Sequence, residues 1–400
     1  MAKQQTKLGL KENWRQFALL LIVNAFVGGM VGLERTILPK LAEEEYRIFS
    51  PSIILSFIIV FGFTKAITNY FTGKFANSIG RKNLLIIGWL VAIPIPFILM
   101  DANHWNWVIF ANVLLGINQG LTWSSTVVMK IDLVGKQQRG LAMGLNESFG
   151  YFSIALVAFS TGWIASEYGI RPFPFYQGIA FVVLGLLLSI FFIKDTMHHV
   201  NIEEQSSSIK LLKNIFKETS WTNNNLGSIS QAGFVNNLND GMIWGVLPII
   251  LTSRAFSIKE VAIIVAIYPA VWGIGQLVTG KLSDLYDKKI MLSLGMLLQA
   301  ISLIAMFFAT TMTWFIALAV LLGVGTAIVY PTFLSAISDY TNPSQRAQSI
   351  GVFRFWRDSG YAFGAICTIL ISNFFDIEFS LVIIGILTLI SAIIIKIRMD

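Results

Sequence analysis

The sequence predicts an all-α polytopic membrane protein with twelve transmembrane helices, on three observations. Hydrophobic residues make up 55% of the 400 positions and charged residues only 13%, whereas a soluble domain carries about 25% charged residues. Apolar stretches of about 20 residues recur along the chain, each long enough to cross a hydrocarbon core about 30 Å thick. None of them alternates with the period of two that a β-barrel requires. Since only helices and closed barrels satisfy their backbone in lipid, helices are predicted.

The apolar stretches and one long polar segment define the predicted organisation. We predict an N-terminal bundle of six helices over 1–193, a cytoplasmic linker over 194–225 and a C-terminal bundle of six over 226–400. Within the linker, apolar residues of 208–217 recur at helical spacing with lysines opposite. This predicts an amphipathic helix on the anionic membrane surface or, equally, a solvated linker helix. The predicted transmembrane helices are 14–39, 50–77, 82–100, 106–131, 139–166, 174–193, 226–252, 258–283, 288–309, 313–338, 345–372 and 378–397.

The placement of the basic residues predicts the topology. Of the 29 Lys and Arg residues, 20 fall on one side of the predicted helices, in the termini, the loops and the helix ends next to them; five fall on the other side, and four lie deep within helices. The positive-inside rule then places both termini in the cytoplasm, and we expect an inner-membrane location. These loops account for the net charge of +7, so nucleic-acid binding is not expected. Cys367 is the single cysteine, which excludes a disulfide within the chain.

The two predicted bundles are related by an internal repeat. The segment 72–82, Thr-Gly-Lys-Phe-Ala-Asn-Ser-Ile-Gly-Arg-Lys, recurs at 279–289 as Thr-Gly-Lys-Leu-Ser-Asp-Leu-Tyr-Asp-Lys-Lys, an offset of 207 residues. A constant offset without gaps indicates two homologous halves, related by an axis along the membrane normal. The same offset relates Leu114-Leu115-Gly116 to Leu321-Leu322-Gly323, Asp132 to Asp339, Arg139 to Arg346, and Gly144 to Gly351.

The repeated segment resembles the signature that the major facilitator superfamily carries between its second and third helices, Gly-x-x-x-Asp-x-x-Gly-Arg-Lys/Arg. Asn77 stands where the signature has Asp, whereas the second copy keeps the acid as Asp284 and has Asp287 in place of the second glycine. The resemblance in helix number, spacing and repeat covers nearly the whole chain. It implies the major facilitator fold and a secondary transporter that works by alternating access. The matching residues are Gly73, Gly80, Arg81 and Lys82.

Charged residues of this signature predict a conformational latch on the cytoplasmic side. Its basic residues can pair with acids at the ends of neighbouring helices and with helix dipoles, closing that side in one state. Because an exposed ion pair contributes only ~0–1 kcal/mol, we expect a network of such pairs. The alternative is that the charges only fix the topology. The predicted latch residues are Gly73, Asn77, Gly80, Arg81, Asp132, Arg139, Asp284, Lys288, Asp339 and Arg346.

Ionisable residues at membrane depth provide the candidate binding and coupling groups, because each costs at least ~2.5–3.5 kcal/mol to insert. The four bases within helices fall on helices that line the cavity in the family that this chain resembles. The alternative is that each base is neutralised by an internal acid. The predicted substrate-binding residues are Arg35, Lys65, Trp123, Asn236, Tyr268, Tyr330, Arg354, Arg357 and Tyr361. The predicted proton-coupling residues are Glu34, Glu147, Asp240 and Asp358.

The function expected from these residues is proton-coupled transport of a small anionic solute, such as an organic acid or a metal-chelating carboxylate. The guanidinium fork suits carboxylate and phosphate. No nucleotide-binding loop is encoded, so a gradient must drive transport. Uniport and sodium coupling remain open. We expect no cofactor and no metal, and a monomer whose partners are the substrate and the bilayer.

Two other classes of function compete. One is a multidrug or metabolite/proton antiporter of the same fold. Drug antiporters often have an Arg where this chain has Gly116, and the Gly-Pro pair of their fifth helix is absent from 139–166. The other class is a membrane enzyme or a receptor that has lost transport. The three histidines fall in predicted loops, no pair of nucleophile and base is evident, and no large soluble domain is encoded, so neither is expected.

Overall fold

The structure is a computed structural model that describes residues 7–35, 37–50, 53, 56–256 and 258–400. Side chains are described for these residues except Arg35, Ile258, Lys259 and Ala262. Over the described ranges the regular structure is helical and no strand occurs. The predicted all-α class is thus confirmed.

The N-terminal half of the sequence forms eight of these helices. Helix α4 ends and α5 begins at Pro94, which lies in the first turn of α5. Proline has no N–H to continue the preceding helix. One predicted span, 82–100, therefore covers two helices. The bounds are α1 Trp14–Arg35, α2 Ile37–Glu44, α3 Ser56–Ile79, α4 Arg81–Ala92, α5 Pro94–Asp101, α6 Trp105–Val134, α7 Arg139–Tyr168 and α8 Tyr176–Phe191.

The rest of the chain contains the linker helices and the second set of long helices. Asn342 caps the start of α15, its side chain accepting the N–H of Ser344, and Pro343 takes the first helical position, the places that these residue types favour. A π turn, Glu218–Thr222, follows α10. The bounds are α9 Met197–Gln205, α10 Ile215–Lys217, α11 Asn224–Ser253, α12 Ile258–Leu285, α13 Lys288–Phe308, α14 Met312–Asp339, α15 Pro343–Ser372 and α16 Phe379–Arg398.

The lengths and compositions of these helices agree with a multi-pass membrane protein. Eight spans of the described chain are long and apolar enough to cross a membrane. Each of the twelve predicted spans coincides with one or two observed helices. The four beyond the eight coincide with α3, α6, α11 and α15, which carry many of the polar groups described below. The count of twelve membrane crossings stays a prediction.

Two compact units divide the chain, and each takes a short segment from the opposite half of the sequence. In the first unit α1, α3 and α4 pack against α6, and in the second α12 and α13 pack against α14. The predicted domain boundaries at 193 and 226 stay predictions. The first unit comprises Met1–Gly135, Asn146–Ser208 and Arg346–Gly351, and the second comprises Lys136–Leu145, Ile209–Gln345 and Val352–Asp400.

The two copies of the repeated segment begin their following helices differently. Gly80 has a φ of 90°, in the region that favours glycine, and the Asp195 carboxylate accepts the N–H of Lys82 at 3.0 Å. In the second copy Asp287 has a φ of −61°, and its own carboxylate accepts the N–H of Ile290 at 2.9 Å. The substitution of glycine by aspartate thus replaces a distant cap by a local one.

The linker differs from the predicted amphipathic helix. Residues 207–212 are not helical, and helical structure resumes only at α10. The Gln345 side chain accepts the N–H of Leu212 at 2.7 Å and donates to its carbonyl at 3.0 Å, and Asn342 donates to the carbonyl of Ile209 at 2.9 Å. These bonds occupy backbone groups that a helix would need, so the segment does not form a helix.

Candidate functional site

A buried ion network in the first unit is centred on Asp132, at the end of α6. Its carboxylate lies 3.1 Å from Arg81 Nε and 3.5 Å from Arg346 Nη1, and all three side chains are at most 1% exposed. Thr196 donates a further hydrogen bond to Asp132 at 2.8 Å. Arg346 also binds the linker residue Glu203, Nη2 to Oε1, at 2.6 Å. The network joins α4, α6, α9 and α15.

A corresponding network in the second unit is centred on Asp339, at the end of α14. Arg139 Nη1 lies 2.7 Å from its carboxylate, and Lys288 donates to the other carboxylate oxygen. Arg139 also donates to the Ser338 carbonyl at 3.1 Å. These residues are the repeat equivalents of the first network, so the structure brings the predicted ion-pairing residues together in two matching sets.

The remaining predicted latch residues lie beside these networks. The Asp284 carboxylate accepts the N–H groups of Gly140 and Leu141 at 2.7 and 2.9 Å, which satisfies unpaired donors at the start of α7 and opposes the positive end of its dipole. Asn77, the equivalent of Asp284, is exposed in the last turn of α3. Asp284, the acid kept in the second copy of the repeated segment, therefore caps the start of α7.

Pairs of glycines let helix backbones touch beside both networks. A Cβ added to Gly73 would lie 2.8 Å from the Cα of Gly351 in the first unit. A Cβ added to Gly280 would lie 2.8 Å from the Cα of Gly144 in the second unit. Real Cβ atoms essentially never approach other atoms that closely. The crossings of α3 with α15 and of α7 with α12 therefore require glycine.

A polar cluster in the first unit surrounds Glu147. We name it the Glu147 cluster, and it consists of Lys65, Trp123, Lys130, Asn146 and Glu147. Glu147 Oε1 accepts hydrogen bonds from Trp123 Nε1 at 3.2 Å and from Asn146 Nδ2 at 2.7 Å. Lys130 Nζ donates to Asn146 Oδ1, and Lys65 Nζ lies 5.6 Å from the centre of the Trp123 ring. Three predicted site residues thus meet, with Lys130 and Asn146 added.

An acid among aromatic rings lies in the second unit. We name this group the Asp240 cluster, and it consists of Asp240, Tyr268, Trp272, Tyr330 and Tyr361. Asp240 is 1% exposed and accepts hydrogen bonds from Tyr268 and, at 3.5 Å, from Tyr361. Trp272 stacks on Tyr268 at 5.9 Å between ring centres and lies 5.0 Å from Tyr330. Four predicted site residues therefore converge, and Trp272 joins them.

Arg357 and Asp358 form an ion pair beside the Asp240 cluster. Arg357 Nε and Nη2 lie 2.9 and 2.8 Å from the same Asp358 oxygen. The guanidinium also lies 4.9 Å from the centre of the Tyr330 ring, within the range of a cation–π contact. The predicted alternative, in which an internal acid neutralises each base, thus holds for Arg357.

The predicted binding residue Asn236 belongs to a buried chain of side-chain amides. Gln299 Nε2 donates to Asn236 Oδ1 at 3.0 Å, and Asn239 Nδ2 donates to Gln299 Oε1 at 3.0 Å. Asn236 Nδ2 donates to Asn237 Oδ1 at 3.3 Å, and Asn237 Nδ2 donates to Asp358 at 3.4 Å. The chain connects α11, α13 and α15, the use that membrane helices commonly make of amides.

Two further predicted site residues lie outside both clusters, outside the Arg357–Asp358 pair and outside the chain of amides. Glu34 is buried at 3% exposure in α1 and is hydrogen-bonded by Asn112. Arg354 is fully buried in α15. The side chain of Arg35 lies outside the described residues. Over the described part of the chain, no group of three or more His, Cys, Asp or Glu residues is placed to hold a metal ion.

Lys130 is a buried polar residue that the sequence does not single out, because its position predicts one of the cytoplasmic basic residues. The structure places it within α6, fully buried. Because Lys130 lies near the end of a helix, hydropathy alone does not distinguish it from a basic residue in a loop. One signal could have identified it: Lys130 follows Trp123 by seven residues, which places both on the same face of a helix.

The long apolar helices and the two matching ion networks define a polytopic membrane protein with a duplicated architecture. The sequence matches the model of the Major Facilitator Superfamily over residues 17–226 and 229–399, so the chain belongs to this family. It is a transporter of small molecules and not an enzyme. The predicted family and fold are confirmed.

Known proteins resemble the chain along most of its length. The Multidrug resistance protein MdtG of Salmonella heidelberg (strain SL476) is 25% identical over 337 residues, which cover 80% of this chain and 79% of MdtG. The human organic anion transporter MFSD10 superposes with a TM-score of 0.79 at 13% identity, covering 96% of this chain and 99% of MFSD10. The transporter FucP, in an outward conformation, gives a TM-score of 0.77 at 14% identity, covering 96% and 98%.

Proposed function

We propose that the protein is a proton-coupled exporter of lipophilic compounds that carry aromatic rings. The observation that carries this proposal is the Asp240 cluster, in which a buried carboxylate is hydrogen-bonded by two tyrosines at one end of an aromatic stack. Aromatic side chains offer large apolar faces and favour stacking with other rings. MdtG, a relative that matches most of the chain, is named for multidrug resistance. Gly116, in place of the arginine common in drug antiporters, remains a departure from that class.

Proton coupling is assigned in this proposal to Asp240 and Glu147. An ionised carboxylate at membrane depth carries a free-energy cost, and binding a proton removes this cost. The carboxylate can therefore bind a proton when the substrate leaves and release it when the substrate binds. Both carboxylates keep hydrogen-bond donors from aromatic side chains, Tyr268 and Trp123, which hold them in place in either protonation state. Asp358 is a weaker candidate because Arg357 stabilises its charge.

A second candidate substrate is a small anionic solute. Lys65 favours it, because its ammonium lies against the rings of Phe61 and Trp123, 5.6 Å from each centre, and a cation presented beside aromatic faces can bind an organic anion. Arg354 is a further buried base. Arg357 supports this candidate less than expected, because Asp358 accepts two of its N–H groups.

Alternating access in this proposal uses the Asp132 and Asp339 networks as the latch. Each network ties the end of one helix to the starts of two others, so a helix that tilts would have to break several bonds together. The glycine crossings support the same role. Because the two helix backbones are in direct contact there, a tilt of one helix displaces the other. We further propose an inner-membrane location, a monomer, and termini in the cytoplasm, supported by the placement of Lys and Arg.

A ligand screen by thermal shift tests the substrate class. Detergent-purified protein is heated with tetraphenylphosphonium, citrate or xylose, since a ligand at 100 times its Kd stabilises the folded state by ~2.7 kcal/mol. The screen is repeated with Asp240→Asn and Lys65→Gln. Stabilisation by tetraphenylphosphonium that is weakened in Asp240→Asn supports the aromatic site. Stabilisation by citrate that is lost in Lys65→Gln supports the anionic substrate instead. Flux into proteoliposomes with and without a pH gradient then tests the coupling.

A further inference from the structure

A buried carboxamide in α12 is left without a hydrogen-bond partner among the residues that the structure describes. The side chain of Gln276 is fully buried, and neither its Oε1 nor its Nε2 has a hydrogen-bond partner in the described part of the chain. A buried amide without a partner is destabilising, so the large majority of buried polar side chains are hydrogen-bonded. An exception of this kind needs a physical explanation.

The internal repeat explains why Gln276 differs from its counterpart in the first unit. The offset of 207 relates Gln276 to Asn69 in α3, and it relates Pro331 in α14 to Ser124 in α6. In the first unit Ser124 Oγ donates to Asn69 Oδ1 at 2.5 Å. A proline side chain carries no hydrogen-bond donor. Among the described residues, the bond of the first unit therefore has no counterpart at Gln276.

The two helix pairs correspond in three dimensions as well as in sequence. Where α3 packs on α6, Thr72 Oγ1 donates to the carbonyl of Gly120 at 3.0 Å. Where α12 packs on α14, Thr279 Oγ1 donates to the carbonyl of Ala327 at 2.5 Å. The same offset of 207 relates the two bonds. The exchange of serine for proline is therefore a local difference between two otherwise matching helix pairs.

Gln276 lies next to the Asp240 cluster along α12. Tyr268, Trp272 and Gln276 follow one another at intervals of four residues, so their side chains share one face of the helix. Each step along this face is about 6 Å. Trp272 also lies 5.0 Å from Tyr330 between ring centres. The amide donor and acceptor of Gln276 thus lie about one helical turn from the aromatic stack.

We propose that Gln276 is a hydrogen-bonding subsite for the substrate, which takes a carboxamide or another neutral group that presents a donor and an acceptor side by side. Such a group can satisfy both atoms of the Gln276 amide, while a ring of the same compound packs among the rings of the Asp240 cluster. This inference rests on the proposed function and specifies the substrate more closely, as an aromatic compound that carries an amide. Gln276, Tyr268 and Trp272 are buried, so the helix movements of alternating access must open the site.

Two lipophilic cations that differ only in an amide test this subsite. Tetraphenylphosphonium and its derivative with one para-carboxamide have the same charge and the same rings. Each is titrated into detergent-purified full-length protein in a calorimeter. The derivative should bind about tenfold more tightly, because its amide satisfies that of Gln276. In Gln276→Met, which keeps the length of the side chain but removes the amide, the two affinities should become equal.

Thermal unfolding provides a second measurement that needs no ligand. The melting temperature of Gln276→Met should rise, because an apolar side chain replaces a buried amide that no described residue satisfies. Gln299→Met is the matched control, since Gln299 donates to Asn236 and accepts from Asn239, and its melting temperature should fall. A fall in Gln276→Met as well would overturn the proposal, because it would show that the protein itself satisfies this amide.

The outcomes separate this inference from the proposed function. If the unmodified protein binds both cations equally, or if the preference survives in Gln276→Met, the subsite is overturned and the aromatic site stands. Binding of neither cation overturns both. The double variant Gln276→Asn, Pro331→Ser is a further test, because it copies the pair Asn69 and Ser124 of the first unit and so gives the amide a partner. Its preference for the derivative should be lost, and a retained preference overturns the proposal.

Discussion

Asp132 and Asp339 lie 207 residues apart in the sequence and bind matching sets of bases in the two compact units. Each acid pairs with a base at the end of its own repeated segment, Arg81 or Lys288, where the next helix begins. Each also pairs with a base from the first turn of a helix in the opposite half of the sequence, Arg346 or Arg139. The equivalence extends to the crossings of paired glycines. Duplication has therefore preserved the three-dimensional partners of each acid along with the sequence motif.

Removal of the acid should destabilise the two networks unequally. Asp132→Asn leaves Arg81 and Arg346 buried with a weaker partner, and loss of one member of a buried ion pair costs about 3–5 kcal/mol. Asp339→Asn should cost clearly less, because the Asp339 side chain is 18% exposed and water can replace part of its charge. Thermal unfolding in detergent measures both. Asp376→Asn, at an exposed acid, is the control, and equal losses in the two networks would contradict the prediction.

A methyl group at the glycine crossing should disturb packing where the same change elsewhere stabilises the protein. Gly73→Ala should cost about 1–3 kcal/mol, the usual penalty of overpacking, because its Cβ would collide with Gly351. Gly273→Ala is the matched control, since a Cβ there meets nothing within 4 Å. It should stabilise α12 by up to ~1 kcal/mol through its helix propensity. The two melting temperatures should therefore move in opposite directions, and a shared direction would argue against a tight crossing.

His199, in the linker helix α9, should make the protein less stable in mild acid. Burial, and next the neighbouring His198, lower the pKa of His199 below 6.5, and its Nε2 lies 3.2 Å from Asn13 Oδ1. Well above pH 6.5 the ring is neutral in folded and unfolded protein alike. Below that value the unfolded state binds the proton more tightly, so stability falls as the pH falls. The melting temperature of His199→Asn should fall less between neutral and mildly acidic pH. His104→Asn, in an exposed loop, should behave as the unmodified protein does.

Helices could be predicted from the sequence because crossing a bilayer demands long apolar stretches, and the repeat located the acids and bases of the two ion networks. Partners were harder to predict. Arg357 is neutralised by the adjacent Asp358, a contact that depends on rotamers. In the sequence Lys130 resembles a basic residue of a loop, and only the structure shows that Asn146 binds it. The segment 208–217 has helical periodicity, but the side chains of Asn342 and Gln345 bind its backbone. A local sequence pattern contains no information about such distant partners.

Each compact unit contains a short segment from the opposite half of the sequence, so cleavage of the chain within the linker should not separate the two halves. Residues 136–145 come from the N-terminal half of the sequence but complete the second unit, and 346–351 come from the C-terminal half but complete the first. Each half-chain therefore lacks a short segment that packs within the unit to which most of that half belongs. Fragments made by cleavage within the linker should stay associated through purification, and a half-chain expressed without its complement should be a poor folder that its complement rescues.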